Sequence, residues 1–263
     1  MEAALRSVQS AQYGAIVLDL SVPDSRTLTT VQELALAAPR TPVIVLAGVD
    51  DEALAIEACR QGAQDYLVKA RSNQSLLSRA IRYAIARKGY EAVLTQRAHF
   101  DSLTGLVNRA LFHDRLSHAL ARATRADRQA ALLFSDLDNF KVINDSFGHN
   151  IGDEVLRAVG EALGACVRQT DTVARLGGDE FTVLLEPLDD AGQAHIVAKK
   201  ILRALDAPFR TSVGPMKITA SIGVALFPEH ASKVEALIQC ADATMLFAKR
   251  CGGNRFRLSR RRE

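Results

Sequence analysis

Two short apolar runs, Thr172-Val173-Ala174 and Phe181 to Leu185, stand on either side of Gly177-Gly178. Strand-forming runs this close in sequence pair through a tight hairpin turn, and glycine supplies the positive φ that such a turn needs at no steric cost. Asp179 and Glu180 follow the glycines directly. Alternation along a strand sends neighbouring side chains to opposite faces, but at a hairpin tip both can reach one cleft. Carboxylates at a strand end, beside backbone that a ligand can approach closely, suit a magnesium-triphosphate site. A solvated turn has the same Gly-Gly-Asp composition, so the run Arg175 to Phe181 does not decide the matter alone.

A second acid-rich cluster does more. Residues 130 to 137, Ala-Ala-Leu-Leu-Phe-Ser-Asp-Leu, read as an apolar strand ending in Asp136. Asp138, Phe140, Lys141, Asn144 and Asp145 follow, then Gly148-His149 and Gly152-Asp153-Glu154. A carboxylate at the carboxyl end of a buried strand lies where open α/β sheets bind ligands. Taken singly, Asp136 or Asp153 reads as a cap or turn acid. Together with the hairpin they make two acid-rich turns, each at a strand end, and the mix of cation, amide and acid can serve phosphate, metal and a purine edge.

These motifs together resemble the GGDEF domain of the diguanylate cyclase family. The opening run Asp101 to Arg109, the cluster from Asp136 to Asp153, the signature Arg175 to Phe181 and the run Ala241 to Lys249 fall in that family's order, over about three fifths of the chain. The resemblance implies a reaction in which two domains meet head to tail, each holding one GTP. Each 3′-hydroxyl attacks the α-phosphorus of the other GTP, giving cyclic di-GMP and two pyrophosphates. It implies Asp136, Asp179 and the Leu137 carbonyl as ligands of Mg2+ (or Mn2+), hard cations that take oxygen donors. Glu180 is then the general base for the 3′-hydroxyl or a further metal contact, with Asp179 beside it in the catalytic pair. Asn144 and Asp153 hydrogen-bond the guanine edge, where an acid opposite N1 and N2 favours guanine over adenine. Lys141 and Lys249 neutralise phosphate, with Phe140 and Gly178 beside the substrate.

The resemblance also implies a regulatory site and one departure. Arg168-Gln169-Thr170-Asp171 has the Arg-x-x-Asp pattern, nine residues before Gly177, that marks the family's inhibitory product site. Arg can contact phosphate or guanine bidentately while Asp accepts from guanine N1 and N2. After Lys249 the chain runs Arg250-Cys251-Gly252-Gly253-Asn254-Arg255, and Gly253 stands where the family has a phosphate-contacting arginine. Weaker triphosphate binding is expected, not loss of the reaction. A catalytically silent GGDEF domain, acting as a cyclic di-GMP or GTP receptor, and a dimerising signalling scaffold are the alternatives.

The first part of the chain alternates differently. Ala15 to Leu20, Pro42 to Gly48 and Asp65 to Lys69 read as strands, with helices around Thr27 to Ala38 and Asp51 to Gln61 between them. Strand-helix alternation implies a parallel sheet. This resembles the second half of a response-regulator receiver domain. Asp19 stands at its phosphoacceptor position with Pro23-Asp24 following, Lys69 at its lysine and Tyr66 at its aromatic switch. The first strands of that family and its magnesium-binding acid pair are missing, and Ala47 replaces the hydroxyl residue. The expectation is a truncated, degenerate receiver whose Asp19 is not phosphorylated. Ser75 to Ala98 reads as one long amphipathic helix, with Leu77, Ile81, Ala84 and Ile85 on one stripe. It packs on the receiver sheet, or pairs two chains as a stalk, or does both on successive turns.

The fold expected is therefore α/β: a partial flavodoxin-like receiver half, residues 1–74, joined by a helix, 75–99, to a ferredoxin-like α+β palm of the nucleotide-cyclase kind, 100–263. In the palm the order is a strand at 130 to 136, a helix at about 151 to 167, the hairpin across 172 to 185, a helix at about 190 to 206, a strand at 216 to 225, a helix at about 233 to 250 and a short strand near Phe256. The net charge of +3 is too small to point to a nucleic acid polymer. No apolar run approaches ~18 residues, so no membrane span is expected. Four cysteines without ligand spacing and the absence of a signal-peptide core in Met1 to Gln12 fit the cytoplasm. The basic cluster from Arg255 to Arg262 reads as a solvated tail.

Overall fold

The structure, a computed structural model, describes residues 2–21, 28–188 and 190–260. Pro23-Asp24 and the expected helix start at Thr27 lie outside these residues. The chain divides into two compact units, residues 1–96 and 97–263.

The first unit runs α1 (Glu2–Ser10), β1 (Ile16–Asp19), α2 (Thr29–Ala37), β2 (Val43–Ala47), α3 (Glu52–Arg60) and β3 (Ala63–Val68), and α4 (Gln74–His99) begins in it. Its strands form a parallel sheet in the order β1-β2-β3. The central strand is an unbroken apolar run because a parallel sheet is covered on both faces. Val43 and Val45 pack with Val31 and Leu34 of α2 on one side, and Ile44 packs with Leu67, Ala80 and Ala84 on the other. Those two alanines are the buried stripe of α4. Farther along the same helix Tyr90, Val93 and Leu94 are exposed. The helix α1 was not expected from sequence.

In the second unit α5 (Arg109–Ala126) leads to β4 (Gln129–Asp138), α6 (Phe140–Phe147), α7 (His149–Cys166), β5 (Thr172–Gly177), β6 (Glu180–Leu188) and α8 (Gly192–Asp206). A small hairpin, β7 (Phe209–Thr211) with β8 (Gly214–Met216), precedes β9 (Thr219–Phe227), α9 (Val234–Arg250) and β10 (Arg255–Leu258). The five-stranded sheet has the order β10-β9-β4-β6-β5. Here β4 is antiparallel to both β6 and β9, while β10 is parallel to β9. The succession β4-α7-β5-β6-α8-β9 with this order is the ferredoxin-like arrangement expected. Arg255 to Leu258 form the short strand expected near Phe256, at the sheet edge, so the first half of the basic cluster, with Arg255 and Arg257, belongs to the sheet and is not a tail; residues 261–262 lie outside the described ones.

Strand alternation builds two cores. Ala131, Leu133 and Leu137 of β4 point to α7 and α8, together with Phe181, Val183, Ile222 and Val224. Ala130, Leu132 and Phe134 point the other way, to α5 and α9, with Leu184, Ala225 and Phe227. Each fully buried Val, Leu, Ile or Phe side chain among these contributes about 1.5–3 kcal/mol. The helix α9 lies unusually close to the sheet. A Cβ at Gly223 would stand 2.0 Å from the Ala241 carbonyl oxygen and 2.3 Å from the Met245 nitrogen, so only glycine permits this approach.

Candidate active site

The alternation that makes the cores also makes the site. The strand β4 runs two residues beyond the expected end, to Asp138. Following Ala130, Leu132 and Phe134, the side chains of Asp136 and Asp138 face the α9 side of the sheet. On β6 the same face carries Thr182 and Leu184, and so Glu180. The strand register puts Asp136 directly opposite Glu180 on one side and Ser221 on the other, with Asp138 opposite Thr219. Three strand ends therefore present their polar residues to the end of one helix.

The turn between β5 and β6 reaches the same place. Gly177 pairs with Glu180, leaving Gly178 and Asp179 as the loop, and both glycines have positive φ, 145° and 52°. The Asp179 carbonyl accepts from the Leu137 N–H at 3.3 Å, fixing the hairpin tip to the end of β4. Arg175 fastens it from below. Its guanidinium donates to the Gly178 carbonyl at 3.0 and 2.7 Å and to both Asp101 oxygens at 3.0 and 3.2 Å. Asp101 in turn caps Thr104 through its N–H and hydroxyl, at 3.0 and 2.7 Å. Burial pushes the Asp101 carboxyl up, but the Thr104 and Arg175 bonds outweigh it and hold the group below the usual carboxylate range. Arg109 reaches Glu180 Oε2 at 3.5 Å and the Leu176 carbonyl at 3.3 Å. Sequence reasoning gave no separate role to Asp101, Arg109, Arg175 or Asp138. Their signal was present only as membership of the motifs.

Lys249, in the last turn of α9, donates to Asp136 Oδ1 at 2.5 Å. Asp136 is pulled two ways. Burial raises its pKa and the charges of Asp179 and Asp138 add to that; the Lys249 bond opposes them and loses. Glu180 is raised as well, by burial first and then by Asp242, Asp136 and Asp179, against Arg109. Lys249 shows the counterpart. Burial disfavours its charge, but the bond to Asp136 and the carboxylates of Asp179 and Asp138 prevail and raise its pKa. The site is a half-buried place with more negative charge than its own lysine neutralises.

Such a donor set fits a hard divalent cation: carboxylate oxygens and a backbone carbonyl at a strand end. Among the described residues no three acidic, His or Cys side chains stand close enough to enclose a metal by themselves. Magnesium held by one or two carboxylates takes its remaining oxygens from water and substrate phosphate.

The remaining residues named from sequence lie on α6 and α7. Asn144 packs over Gly152, where an added Cβ would meet its Oδ1 at 2.0 Å, and Asp153 follows it on α7. Lys141 is exposed. Phe140 is 7% exposed and belongs to the core, so what it can offer a ligand is its backbone at the start of α6, where helical N–H groups lack intrahelical acceptors. Gly178 likewise offers backbone. Gly253 has φ 68°, and a Cβ there would lie 2.9–3.1 Å from the Asp138 carboxylate. Of the neighbouring arginines, Arg255 is engaged with the Gly253 carbonyl at 2.9 Å, whereas Arg250 is exposed.

Arg168 and Asp171 form a turn at the far end of α7, the Arg168 N–H donating to Asp171 Oδ2 at 2.9 Å. They line a surface cavity of about 220 Å³ with Gln193 and Lys200 of α8. In the first unit, Asp19 at the end of β1 is paired with Lys69 at 2.5 Å and accepts from the Ser21 N–H at 2.8 Å. These bonds hold its pKa below the usual range, Lys69 first. Tyr66 donates its hydroxyl proton to the Val49 carbonyl at 2.9 Å.

With this geometry, comparison with known proteins is direct. The family profile described as Diguanylate cyclase, GGDEF domain, matches residues 98–255. The chain belongs to that family. The profile of the response regulator receiver domain matches residues 1–81. The curated Diguanylate cyclase TpbB of Pseudomonas aeruginosa PAO1 is 48% identical over 160 residues, 60% of this chain and 37% of that protein. The solved GGDEF domain of TpbB superposes with a TM-score of 0.61 at 46% identity, covering 62% of this chain and 95% of that one. The coiled coil and GGDEF domain of DgcB from Caulobacter crescentus, solved in complex with c-di-GMP, gives a TM-score of 0.60 at 28% identity over 71% of this chain and 98% of that one. This chain thus spans well under half the length of the curated relative. No helix among the described residues is long and apolar enough to cross a membrane.

Proposed function

We infer that the GGDEF unit is a diguanylate cyclase, condensing two GTP into cyclic di-GMP and two pyrophosphates. The observation that carries this reading is the gathering of Asp136, Asp179, Glu180 and Lys249 at one strand end, in a place with surplus negative charge. Bound there by Asp136, Asp179 and the Leu137 carbonyl, magnesium (or manganese) supplies charge neutralisation for transfer at the α-phosphorus. The protein's own part is positioning. Lys249 and Lys141 meet phosphate charge, and the backbone at Phe140 and Gly178 approaches the triphosphate. Asn144 and Asp153 hold the guanine edge. Glu180, whose pKa is raised chiefly by burial, is read as the group that takes the 3′-hydroxyl proton. One chain holds one GTP, so the reaction calls for a second copy facing the first, and the exposed Tyr90, Val93 and Leu94 on α4 are suited to pair the copies. The Arg168-Asp171 cavity is read as the inhibitory product site, and the cytoplasm, where GTP is held, as the place of reaction.

A second reading has its own observation. Gly253 brings no side chain to the triphosphate, which favours a silent domain that binds GTP or cyclic di-GMP as a receptor or signalling scaffold. Turnover of GTP with magnesium, after bound product is stripped by a phosphodiesterase, decides between them. Mass spectrometry is expected to find cyclic di-GMP from the parent and none from Asp179→Ala. A folded parent that binds nucleotide without making product rejects the cyclase in favour of the receptor.

A further inference from the structure

Two acids on β4 face the same way, two residues apart, yet their surroundings differ. Asp136 meets one lysine, whereas Asp138 is saturated. Its Oδ1 accepts from the Ser221 hydroxyl at 2.7 Å, and its Oδ2 from the Thr219 hydroxyl at 2.7 Å and the Asn254 N–H at 2.9 Å. Both hydroxyls come from β9, and Asn254 lies in the turn that follows α9.

That turn is an improbable one. Gly252, Gly253 and Asn254 have φ of 106°, 68° and 46° in succession, and Asn254 is no glycine. It is also coupled to Lys249. The Gly252 N–H donates to the Lys249 carbonyl at 3.1 Å, and the Gly253 N–H to the Ala248 carbonyl at 3.3 Å. Gly253 lies close against the Asp138 carboxylate, and the Arg255 guanidinium closes the turn on the Gly253 carbonyl. Among the described residues, the one hydrogen-bonded tie from a β4 side chain to the middle of this turn is that of Asp138.

We propose that Asp138 is a positioning residue: by bolting the Gly252-Gly253-Asn254 turn to the strand ends it sets the end of α9 so that Lys249 reaches the triphosphate site, and it is not itself a metal ligand. This rests on reading the site as a GTP site. In a chain with glycine at position 253, Lys249 carries more of the phosphate contact, and its placement matters correspondingly more.

The test is a double-mutant cycle in the full chain between Asp138→Ala and Lys249→Ala. It is read as affinity for a non-hydrolysable GTP analogue with magnesium and, separately, as KM and kcat for cyclic di-GMP. Asp138→Ala is expected to weaken analogue binding and raise KM about tenfold, with kcat within about threefold, as Lys249→Ala does. The double variant is expected to be no weaker than Lys249→Ala alone, because both changes act through one group. Additive losses, or a fall in kcat at unchanged KM, overturn the proposal. Should Asp138→Ala not fold, Thr219→Val with Ser221→Ala loosens the same carboxylate and enters the same cycle. A parent that binds the analogue but makes no product breaks the cyclase reading while the binding cycle still decides this one; a parent that binds no analogue overturns both.

Discussion

Two aspartates in this chain stand at the carboxyl end of a strand, each 2.5 Å from a lysine: Asp19 with Lys69 in the first unit, Asp136 with Lys249 in the second. Their electrostatics run in opposite directions. Asp19 is satisfied by Lys69 and the Ser21 N–H, and its pKa is lowered. Asp136 is half-buried beside Asp138 and Asp179, opposite Glu180, and its pKa is raised in spite of its lysine. An acid at a strand end is therefore not yet a cation site. What distinguishes one is negative charge that the protein leaves uncompensated, at a cost in its own stability, for a ligand to relieve.

Substitution of Asp136 by Asn is the largest break in that comparison. Cyclic di-GMP formation is expected to fall at least about 10³-fold, the usual scale for removing a metal-held charge stabiliser. The folded protein without metal is expected to gain stability at neutral pH. A carboxyl with a raised folded pKa binds protons more readily folded than unfolded, so it opposes folding increasingly as pH rises from its unfolded value of about 3.9 to its folded pKa. A lower thermal midpoint for Asp136→Asn at pH 7 contradicts the account.

Next in size is Gly223→Ala. The added methyl meets α9 backbone, and an expected loss of about 2–4 kcal/mol in urea unfolding accompanies a shift of Lys249 away from Asp136. An unchanged midpoint would mean that α9 gives way freely.

Smaller, and opposite in sign to Asp136, is Asp101. Its folded pKa is lowered, so its contribution is present above about pH 4 and is lost as pH falls through the folded value. Asp101→Asn should flatten the acid limb of a stability-pH curve below about pH 4 while loosening the hairpin tip that Arg175 holds. The smallest effect belongs to Asp19→Asn, for which cyclic di-GMP output of the unmodified chain is expected to stay within about twofold, the ordinary fate of an exposed ion pair. A large change in output would make the two strand ends more alike than their electrostatics imply.

Much of this was legible in the residues. The apolar run from Ala130 to Leu137 and the glycine pair at 177 and 178 gave the central strand and the hairpin, and the order of motifs gave the family. The helix α5 was not expected, although Phe112, Leu116, Ala119, Leu120 and Ala123 form a clear buried stripe and Arg109 at its start reaches Glu180. The hairpin of β7 and β8 is three residues a side, too short for periodicity to register. That the Phe140 side chain sits in the core, leaving its backbone for the place its motif implies, was not legible in the sequence. The basic run from Arg255 to Arg262 reads as solvated, yet the short strand expected near Phe256 is present at the sheet edge, where one neighbour, β9, suffices.

The sequence by itself determined the family, the pairing of strands β5 and β6, and the acids that could serve a cation, since these rest on residue type and on spacing within one or two turns of chain. Only the tertiary structure decided which of those acids is available. Asp136 and Asp138 are indistinguishable as neighbours on one strand. They part because strand register brings Ser221 and Thr219 beside them, and because the close approach at Gly223 carries the end of α9 to the sheet, with Lys249 for one and Asn254 for the other. Those partners lie more than eighty residues away along the chain, where no local pattern can name them.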